Sequence, residues 1–196
     1  NPDLRPETSD GFEAGVRLTG VPLALTASVF QTEYSDFIES KVNLGADPAT
    51  GVTLFQSQNV AEARIYGVEF DARVAVSAWS PRLDGWSGRL AGSWTRGNDL
   101  TRDVPLNSID PPKLVLSMRY DAPSMRWGSE LALTAVEAQR EVDRSRADLY
   151  RTDGYATLDW LANVSLGPRL RLNLGLFNLT NTAYIEWSDV RGRVAD

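Results

Sequence analysis

Tyr66-Gly67-Val68-Glu69-Phe70-Asp71-Ala72-Arg73-Val74-Ala75-Val76 decides the fold class. One phase of this stretch carries Tyr66, Val68, Phe70, Ala72, Val74 and Val76, and the other carries Gly67, Glu69, Asp71, Arg73 and Ala75. Successive side chains of a strand point to opposite faces, so strict alternation marks a strand with one apolar and one polar face. The pattern spreads in both directions. Phe12, Ala14, Val16 and Leu18 alternate with Glu13, Gly15, Arg17 and Thr19, and Leu23, Leu25, Ala27 and Val29 follow on a single phase. Trp86, Gly88, Leu90, Gly92 and Trp94 oppose Arg89, Ala91, Ser93 and Thr95, and Leu114, Leu116, Met118 and Tyr120 face away from Lys113, Ser117 and Arg119. Trp127, Leu131 and Leu133 oppose Gly128, Glu130 and Thr134. Ala156, Leu158, Trp160, Ala162, Val164 and Leu166 then oppose Thr157, Asp159, Asn163 and Ser165, and Leu170, Leu172, Leu174 and Leu176 oppose Arg171, Asn173 and Gly175. The reading is all-β, with eight antiparallel strands and no convincing helix.

Composition removes several function classes. The 196 residues include no Cys and no His. That excludes disulfides, thiol nucleophiles, Cys-ligated metals, His-based triads and imidazole ligation of metal or haem from within this chain. A net charge of −6 and a pI near 4.8 argue against a nucleic-acid partner, which selects a basic patch. The longest charge-free stretch, residues 18–32, is too short and too polar for a spanning helix. No N-terminal signal peptide is visible. No Ser-His-Asp set, phosphate-cradling Gly loop or metal quartet is present, so the chain does not read as an enzyme or as holding an intrinsic cofactor. Glu69, Asp71 and Asp159 are acidic residues on the polar phase, where charge pairs facing a wet lumen are ordinary.

The connections alternate in length. Residues 20–22, 121–125 and 167–168 have the chemistry of tight turns, and residues 78–85 form a somewhat longer one. Between them lie long polar segments, 35–53, 98–112 and 137–153, read as loops. In an up-and-down meander this sorts short turns to one end and long loops to the other. Two architectures fit such strands: a soluble barrel with its apolar phase inward, or an outer-membrane barrel with that phase in lipid and the polar phase lining the lumen. Sorted loops favour the membrane barrel. So do Trp86, Tyr120 and Trp127, which sit on the apolar phase at the short-turn end with Trp79 nearby, as an interfacial aromatic belt requires. Most spans run about nine to eleven residues, the length of a tilted transmembrane strand. The span from Phe55 to Val76 is longer and is expected to project above a membrane.

Four segments carry a family resemblance. Asn1-Pro2-Asp3-Leu4-Arg5-Pro6-Glu7 resembles the Asn-Pro-Asn-Leu box and following Lys/Arg-Pro-Glu of TonB-dependent outer-membrane receptors. Ile65-Tyr66-Gly67-Val68-Glu69 is similar to their Ile-Tyr-Gly-Val-Glu strand, and Pro105-Leu106 with Ile109-Asp110-Pro111-Pro112 to their Pro-Leu and Ile-Pro-Pro element. Asn178-Leu179-Thr180-Asn181-Thr182-Ala183-Tyr184 resembles the segment before their last strand. The resemblance spans nearly the whole chain and implies that residues 1–196 are the C-terminal portion of a plugged transmembrane β-barrel. It implies about eight strands of roughly 22, with the plug, the earlier strands and the final strand lying outside it. It further implies a place in the Gram-negative cell outer membrane, among its lipid, and active uptake of an iron-containing ligand powered by the TonB complex through segments not in this chain.

The stretch Trp187-Ser188-Asp189-Val190-Arg191-Gly192 is similar to haem and haemoglobin receptors. Haem or haemoprotein-derived haem is therefore the favoured ligand, with a ferric siderophore as the alternative within the family. The box departs from the family pattern at Asp3, where Asn is usual. A small porin-like barrel and a soluble β-barrel ligand carrier are the readings from other classes. Candidate ligand contacts at the extracellular mouth are Asn1, Pro2, Asp3, Leu4, Tyr34, Arg144, Arg146, Tyr150, Tyr184 and Trp187. Tyrosinate ligates ferric haem, and Arg pairs with carboxylates such as propionates. Against these roles stand a turn-initiating Asn-Pro, aromatic packing at an interface, and an ordinary solvated loop of mixed charge.

Overall fold

The alternating segments pair in chain order in a computed structural model that describes residues 3–145 and 148–195. The strands are β1 (Thr8–Leu18), β2 (Leu23–Ala46), β3 (Thr53–Ala75), β4 (Trp86–Asp99), β5 (Val104–Pro105), β6 (Lys113–Asp121), β7 (Trp127–Val136), β8 (Tyr155–Ser165) and β9 (Arg171–Leu176). All pairings are antiparallel, in the order β1-β2-β3-β4-β6-β7-β8-β9, with the two-residue β5 added beside β4. The expected eight strands are thus present, and β5 is a ninth. A closed eight-stranded barrel would pair β1 with β9; among the described residues they stand at opposite edges of an open sheet.

Registry turns the alternation into two continuous faces. Leu18, Leu25, Ala72, Leu90, Leu116, Leu133 and Leu158 form one unbroken row across seven strands. Leu18, Leu90, Leu116 and Leu133 are exposed there, Leu116 by 51 %. A water-soluble fold does not spread its leucines over an outer face in this way. The row one residue along reads Ala24, Arg73, Arg89, Ser117, Ala132 and Asp159. On this second face Asp71 accepts from Arg89 Nη2 at 2.6 Å and Arg73 Nε at 3.1 Å. Arg119 donates to Asp121 at 2.7 Å and to Asn163 at 2.9 Å, with Glu130 at 3.6 Å.

Aromatic rings bound the apolar face at both levels. At the short-turn end Tyr120 lies between Trp86 and Trp127, with centroids 5.2 Å away on each side. At the other level Trp94 meets Tyr66 edge-on at 5.7 Å, and the Arg96 guanidinium lies 5.6 Å from the Trp94 ring. The second belt was not singled out from the sequence. Eight residues of β4 separate Trp86 from Trp94, roughly 26 Å of strand, which suits a tilted crossing of hydrocarbon. At the short-turn belt, where Ser129 stands in register with Tyr120, Trp160 Nε1 donates to Ser129 Oγ at 2.8 Å. The lone Ser on the apolar phase of β7 therefore satisfies an indole N–H.

The segment 35–53, read as a loop, is mostly strand. β2 continues to Ala46 and pairs with β3 from Thr53, leaving only 47–52 as the turn. Its alternation is hidden because the backbone turns left-handed at Asp36 (φ 57°) and Lys41 (φ 57°), and the ladder shifts register between Glu39 and Val42 and again between Asn43 and Ala46. Bulges of this kind re-aim the side chains that follow, so the period of two is lost while the pairing goes on. The other two long segments are largely irregular as expected, although β5 lies within 98–112. One helical turn, α1 (Trp187–Val190), and two 3-10 turns, Val76–Ala78 and Pro81–Leu83, were not foreseen.

Among the described residues the two clusters of buried apolar residues both sit at the long-loop end. Phe37, Val60, Ala63 and Leu106 form one, with Tyr34, Ile65 and Ile109 against it. Val142, Leu149, Trp187 and Val190 form the other, with Tyr150 alongside. Gly97 admits the first: a Cβ there would lie 2.6 Å from Ile109 Cγ1 and 3.1 Å from Leu106 Cδ1.

Candidate functional site at the long-loop end

The residues that carry the family resemblance build the scaffold of the mouth. Asn178 and Asn181 adopt left-handed backbone (φ 51° and 50°), which Asn tolerates better than most residues. Asn178 Oδ1 accepts from the Thr182 N–H at 2.9 Å, its Nδ2 donates to the Thr182 carbonyl at 2.9 Å, and its own N–H donates to Asp159 at 2.7 Å. This hydrogen-bonded knot sets the direction in which the chain leaves β9. Leu106 and Ile109, from the Pro-Leu and Ile-Pro-Pro element, pin the β4–β6 connection onto the sheet. Gly67 permits a close approach on the polar face, where a Cβ would sit 2.6 Å from the Trp94 carbonyl and 2.8 Å from the Phe30 ring.

From there the post-β9 segment crosses to three other parts of the mouth. Trp187 Nε1 donates to the Asn107 carbonyl at 3.0 Å. Arg191 reaches the Ser108 carbonyl at 3.3 Å and Ser40 Oγ at 3.1 Å. Asn43 Nδ2 donates to the Gly192 carbonyl at 2.7 Å, and Lys41 Nζ to the Ser188 carbonyl at 3.2 Å. The Tyr150 N–H donates to the Arg193 carbonyl at 2.8 Å, and Leu149 bridges Val194. The extended β2, both long loops and the chain after β9 are thereby tied into one unit.

A polar set lies beneath it. Arg102 pairs with Asp99 at 2.5 Å and Asp143 at 3.0 Å, and Asn107 accepts the Asp143 N–H at 2.8 Å. Burial pushes the Asp143 carboxyl up, but the Ser145 hydroxyl and N–H together with Arg102 outweigh it and hold it below the usual range. Burial pushes the Glu39 carboxyl above the usual range, only partly offset by the Ser108 hydroxyl at 3.0 Å and by Arg191 and Arg102. Glu39 Oε1 and Arg191 Nε have no hydrogen-bond partner among the described residues. Glu39, Asn43, Arg102, Asn107, Asp143 and Leu149 line a cavity of about 40 Å³, room for a few water molecules. Larger hollows open along the polar face, about 410 Å³ beside Asp71 and Arg89 and about 520 Å³ beside Arg73, Arg119 and Glu130. No cluster of three or more acidic side chains able to hold a metal ion occurs among the described residues.

The ten candidate contacts do not converge on one point. Asn1, Pro2 and Arg146 lie outside the described residues. Asp3 is exposed and Leu4 half-buried. Next to them Arg5 pairs with Asp36 at 2.5 Å and exchanges hydrogen bonds with Asn59. Tyr34 lies edge-on to Phe37 at 5.1 Å, within the first apolar cluster. Tyr150 and Trp187 share the second, where Trp187 is only 3 % exposed. Tyr184 stacks on Tyr155 with centroids 4.2 Å apart. Arg144 pairs with Asp148. Sequence reasoning passed over Glu39, Asn43, Arg102, Asn107 and Ser108. Asn107 and Ser108 lie inside a quoted motif and were within reach; Glu39 and Asn43 sit in the bulged part of β2, where no period marked them.

The family model described as "TonB dependent receptor-like, beta-barrel" matches residues 1–179. Among curated proteins, the chain is 27 % identical to a probable haemoglobin and haemoglobin-haptoglobin-binding protein of Haemophilus influenzae, over 97 % of the chain and 21 % of that protein. It is also 27 % identical to a haemoglobin-haptoglobin utilization protein of Neisseria meningitidis, over 97 % of the chain and 27 % of that protein. Among solved structures, the copper transporter OprC superposes with a TM-score of 0.80 at 21 % identity, covering 94 % of the chain and 27 % of OprC. The ferric citrate transporter FecA superposes at 0.68 and 17 %, covering 91 % and 27 %. These superpositions bear on the fold alone. The chain spans about a fifth to a quarter of the length of the curated relatives it matches.

Proposed function

Because the chain belongs to the TonB-dependent receptor-like β-barrel family, we propose that it forms the C-terminal portion of the wall of an outer-membrane receptor that takes up an iron-containing ligand. The cargo is haem drawn from a haemoprotein. The supporting observation is the match, along 97 % of the chain, to proteins named for binding haemoglobin and haemoglobin-haptoglobin.

In this reading the leucine-rich face meets lipid between the two aromatic belts, and the edges β1 and β9 pair with neighbouring strands of a larger, plugged barrel. The ion-paired face lines the lumen beside the plug. TonB acts on the plug, outside these residues, and the work of this chain is wall, lining and mouth. Among the candidate contacts within the described residues, Tyr184, 44 % exposed, and Asp3, with Leu4 and Arg144, offer surface to a ligand; Asn1, Pro2 and Arg146 are candidates on the sequence alone. Tyr34, Tyr150 and Trp187 act from beneath by holding the loops that present it.

The test is growth of a haem-requiring Gram-negative host that carries the intact receptor. Growth on haemoglobin as sole haem source, abolished by removing TonB, is the expected outcome. No growth on haemoglobin combined with TonB-dependent use of a ferric siderophore would replace haem by the siderophore reading.

A further inference from the structure

The short-turn end carries charge of the opposite sign to the chain as a whole. Three of its turns each hold an arginine: Arg82 between β3 and β4, Arg126 between β6 and β7, and Arg169 between β8 and β9. With Arg171 they stand against two aspartates, Asp84 and Asp121, in a chain whose net charge is −6. Asp121 is already taken by Arg119. Arg82, Arg126 and Arg169 are exposed, and they join no ion pair among the described residues; the pairs nearest this end belong to Arg73, Arg89 and Arg119. The turns are fixed to the sheet and to one another. The Asp121 N–H donates to the Gly85 carbonyl at 2.8 Å and the Ser165 N–H to the Arg126 carbonyl at 2.7 Å. Ser80 Oγ accepts the Arg82 N–H at 3.3 Å, and Ser124 Oγ accepts the Arg126 N–H at 3.4 Å. Two strand spacings separate each of these turns from the next, so they follow one another at steps of about 10 Å. Apolar side chains lie among them: Trp79 is 70 % exposed, Met125 73 % and Leu166 58 %. The rim is therefore cationic, partly apolar and already ordered.

We propose that this rim binds the anionic phospholipid headgroups of the periplasmic leaflet, with the arginine guanidiniums on their phosphates. Position selects lipid as the occupant. The turns directly continue the strands that carry Trp86, Tyr120 and Trp127, and residues just outside such a belt stand at headgroup level. Composition agrees with position. Trp79, Met125 and Leu166 suit the glycerol and upper acyl chain, and a guanidinium offers paired N–H donors to phosphate oxygens. Charge selects the anionic headgroup over the zwitterionic one, which brings a cation of its own; each basic residue near a negative lipid surface adds to the attraction. A row held in place by backbone hydrogen bonds loses little entropy on binding. The inference rests on the outer-membrane reading above and holds whichever cargo the receptor carries.

The test uses the intact receptor in mild detergent, with phosphatidylglycerol or phosphatidylethanolamine added and bound lipid counted by native mass spectrometry. Phosphatidylglycerol is expected to bind about tenfold more tightly. Arg82→Gln, Arg126→Gln and Arg169→Gln should each lower that preference about two- to fivefold, and the triple variant should remove it. Arg82→Lys, Arg126→Lys and Arg169→Lys together keep the charge and most of the preference. Arg140→Gln with Arg151→Gln, at the opposite end, leaves it unchanged. Inorganic phosphate in excess leaves the lipid bound, because it lacks the apolar half of the ligand. Equal binding of the two lipids by the wild type overturns the assignment, as does a preference that survives in the folded triple variant or falls equally in the loop-end control. Displacement by phosphate overturns lipid as the occupant. Should the triple variant yield too little folded receptor, the single variants carry the same comparison. A receptor recovered outside the outer membrane overturns the membrane reading and this inference together, and shows on fractionation before any lipid is added.

Discussion

Leu106 and Leu116 lie ten residues apart in the chain and meet opposite surroundings. Leu116 belongs to the leucine row of the outer face and is half exposed; Leu106 is 2 % exposed beneath the mouth, packed with Phe37, Val60 and Ala63. The belt region has strand ladders and ion pairs but no buried apolar cluster among the described residues, whereas both clusters lie at the loop end. In the proposed outer-membrane setting a single sheet thus runs through two solvents. Where lipid covers its outer face the sheet needs no core of its own, and where water replaces lipid the chain folds loops over the sheet and makes one.

The contrast can be broken at several points. The largest effect is expected from Trp187→Ala. Removal of this buried ring should cost about 3–5 kcal/mol, confined to the mouth: amide exchange should quicken at Tyr150 and Asn107 while the ladder from β6 to β9 keeps its protection. Comparable quickening in β7 and β8 would mean that the two regions are one cooperative unit. Next come the two leucines. Leu106→Ala is expected to cost about 2–5 kcal/mol, and Leu116→Ala well under half of that, because lipid takes the place of the lost methyls. Leu116→Arg closes that gap, since a charge midway between the belts costs about 2–4 kcal/mol. Unfolding of the intact receptor in lipid by denaturant measures all three, and equal costs for the two alanines would sink the two-solvent account.

A smaller effect belongs to Ser129→Ala. It removes the 2.8 Å hydrogen bond to the Trp160 N–H at the level of the Trp86–Tyr120 belt, at about 0.5–1.5 kcal/mol. Tryptophan emission and the same unfolding curve read it. The smallest is a pH effect confined to the mouth. A carboxyl whose folded pKa is raised binds its proton more tightly in the folded protein. Glu39 therefore favours the assembled mouth at acid pH, and that contribution is lost as pH rises through its folded pKa. Asp143, held below its usual range, acts in the opposite sense and loses its contribution as pH falls through its own. Glu39→Gln should flatten the loosening of the mouth toward neutral pH, followed as protease sensitivity of the loops at each pH. An unchanged profile would remove Glu39 from the account.

The belt region was legible because its physics is periodic. Lipid on one side and water on the other impose alternation, and Tyr66 to Val76 or Leu170 to Leu176 record it residue by residue. The family motifs were legible too, and the structure shows what they do: Asn178 ties a knot, Leu106 and Ile109 fasten a loop, Gly67 makes room for Phe30. The mouth was not legible to the same depth. Its long strand β2 turns left-handed at Asp36 and Lys41 and shifts register just after Glu39 and again after Asn43, so Glu39 and Asn43 fall on no predicted face. Its contacts join residues as far apart as Ser40 and Arg191, a distance over which no local pattern carries information. Tyr150 and Trp187 drew notice as aromatic loop residues, a property shared by rings that meet a ligand and rings that pack a core.

Registry across the outer face has a consequence for how such a wall assembles. A strand that paired one residue out of step would exchange its faces. In β3 that slip would turn Asp71 and Arg73 into hydrocarbon and Phe70 and Ala72 toward water, at about 2–4 kcal/mol for a basic residue near the bilayer centre. The same exchange awaits β4 through Arg89 and β6 through Arg119. In the proposed membrane setting a slipped register thus carries a cost that the backbone hydrogen bonds alone would not impose.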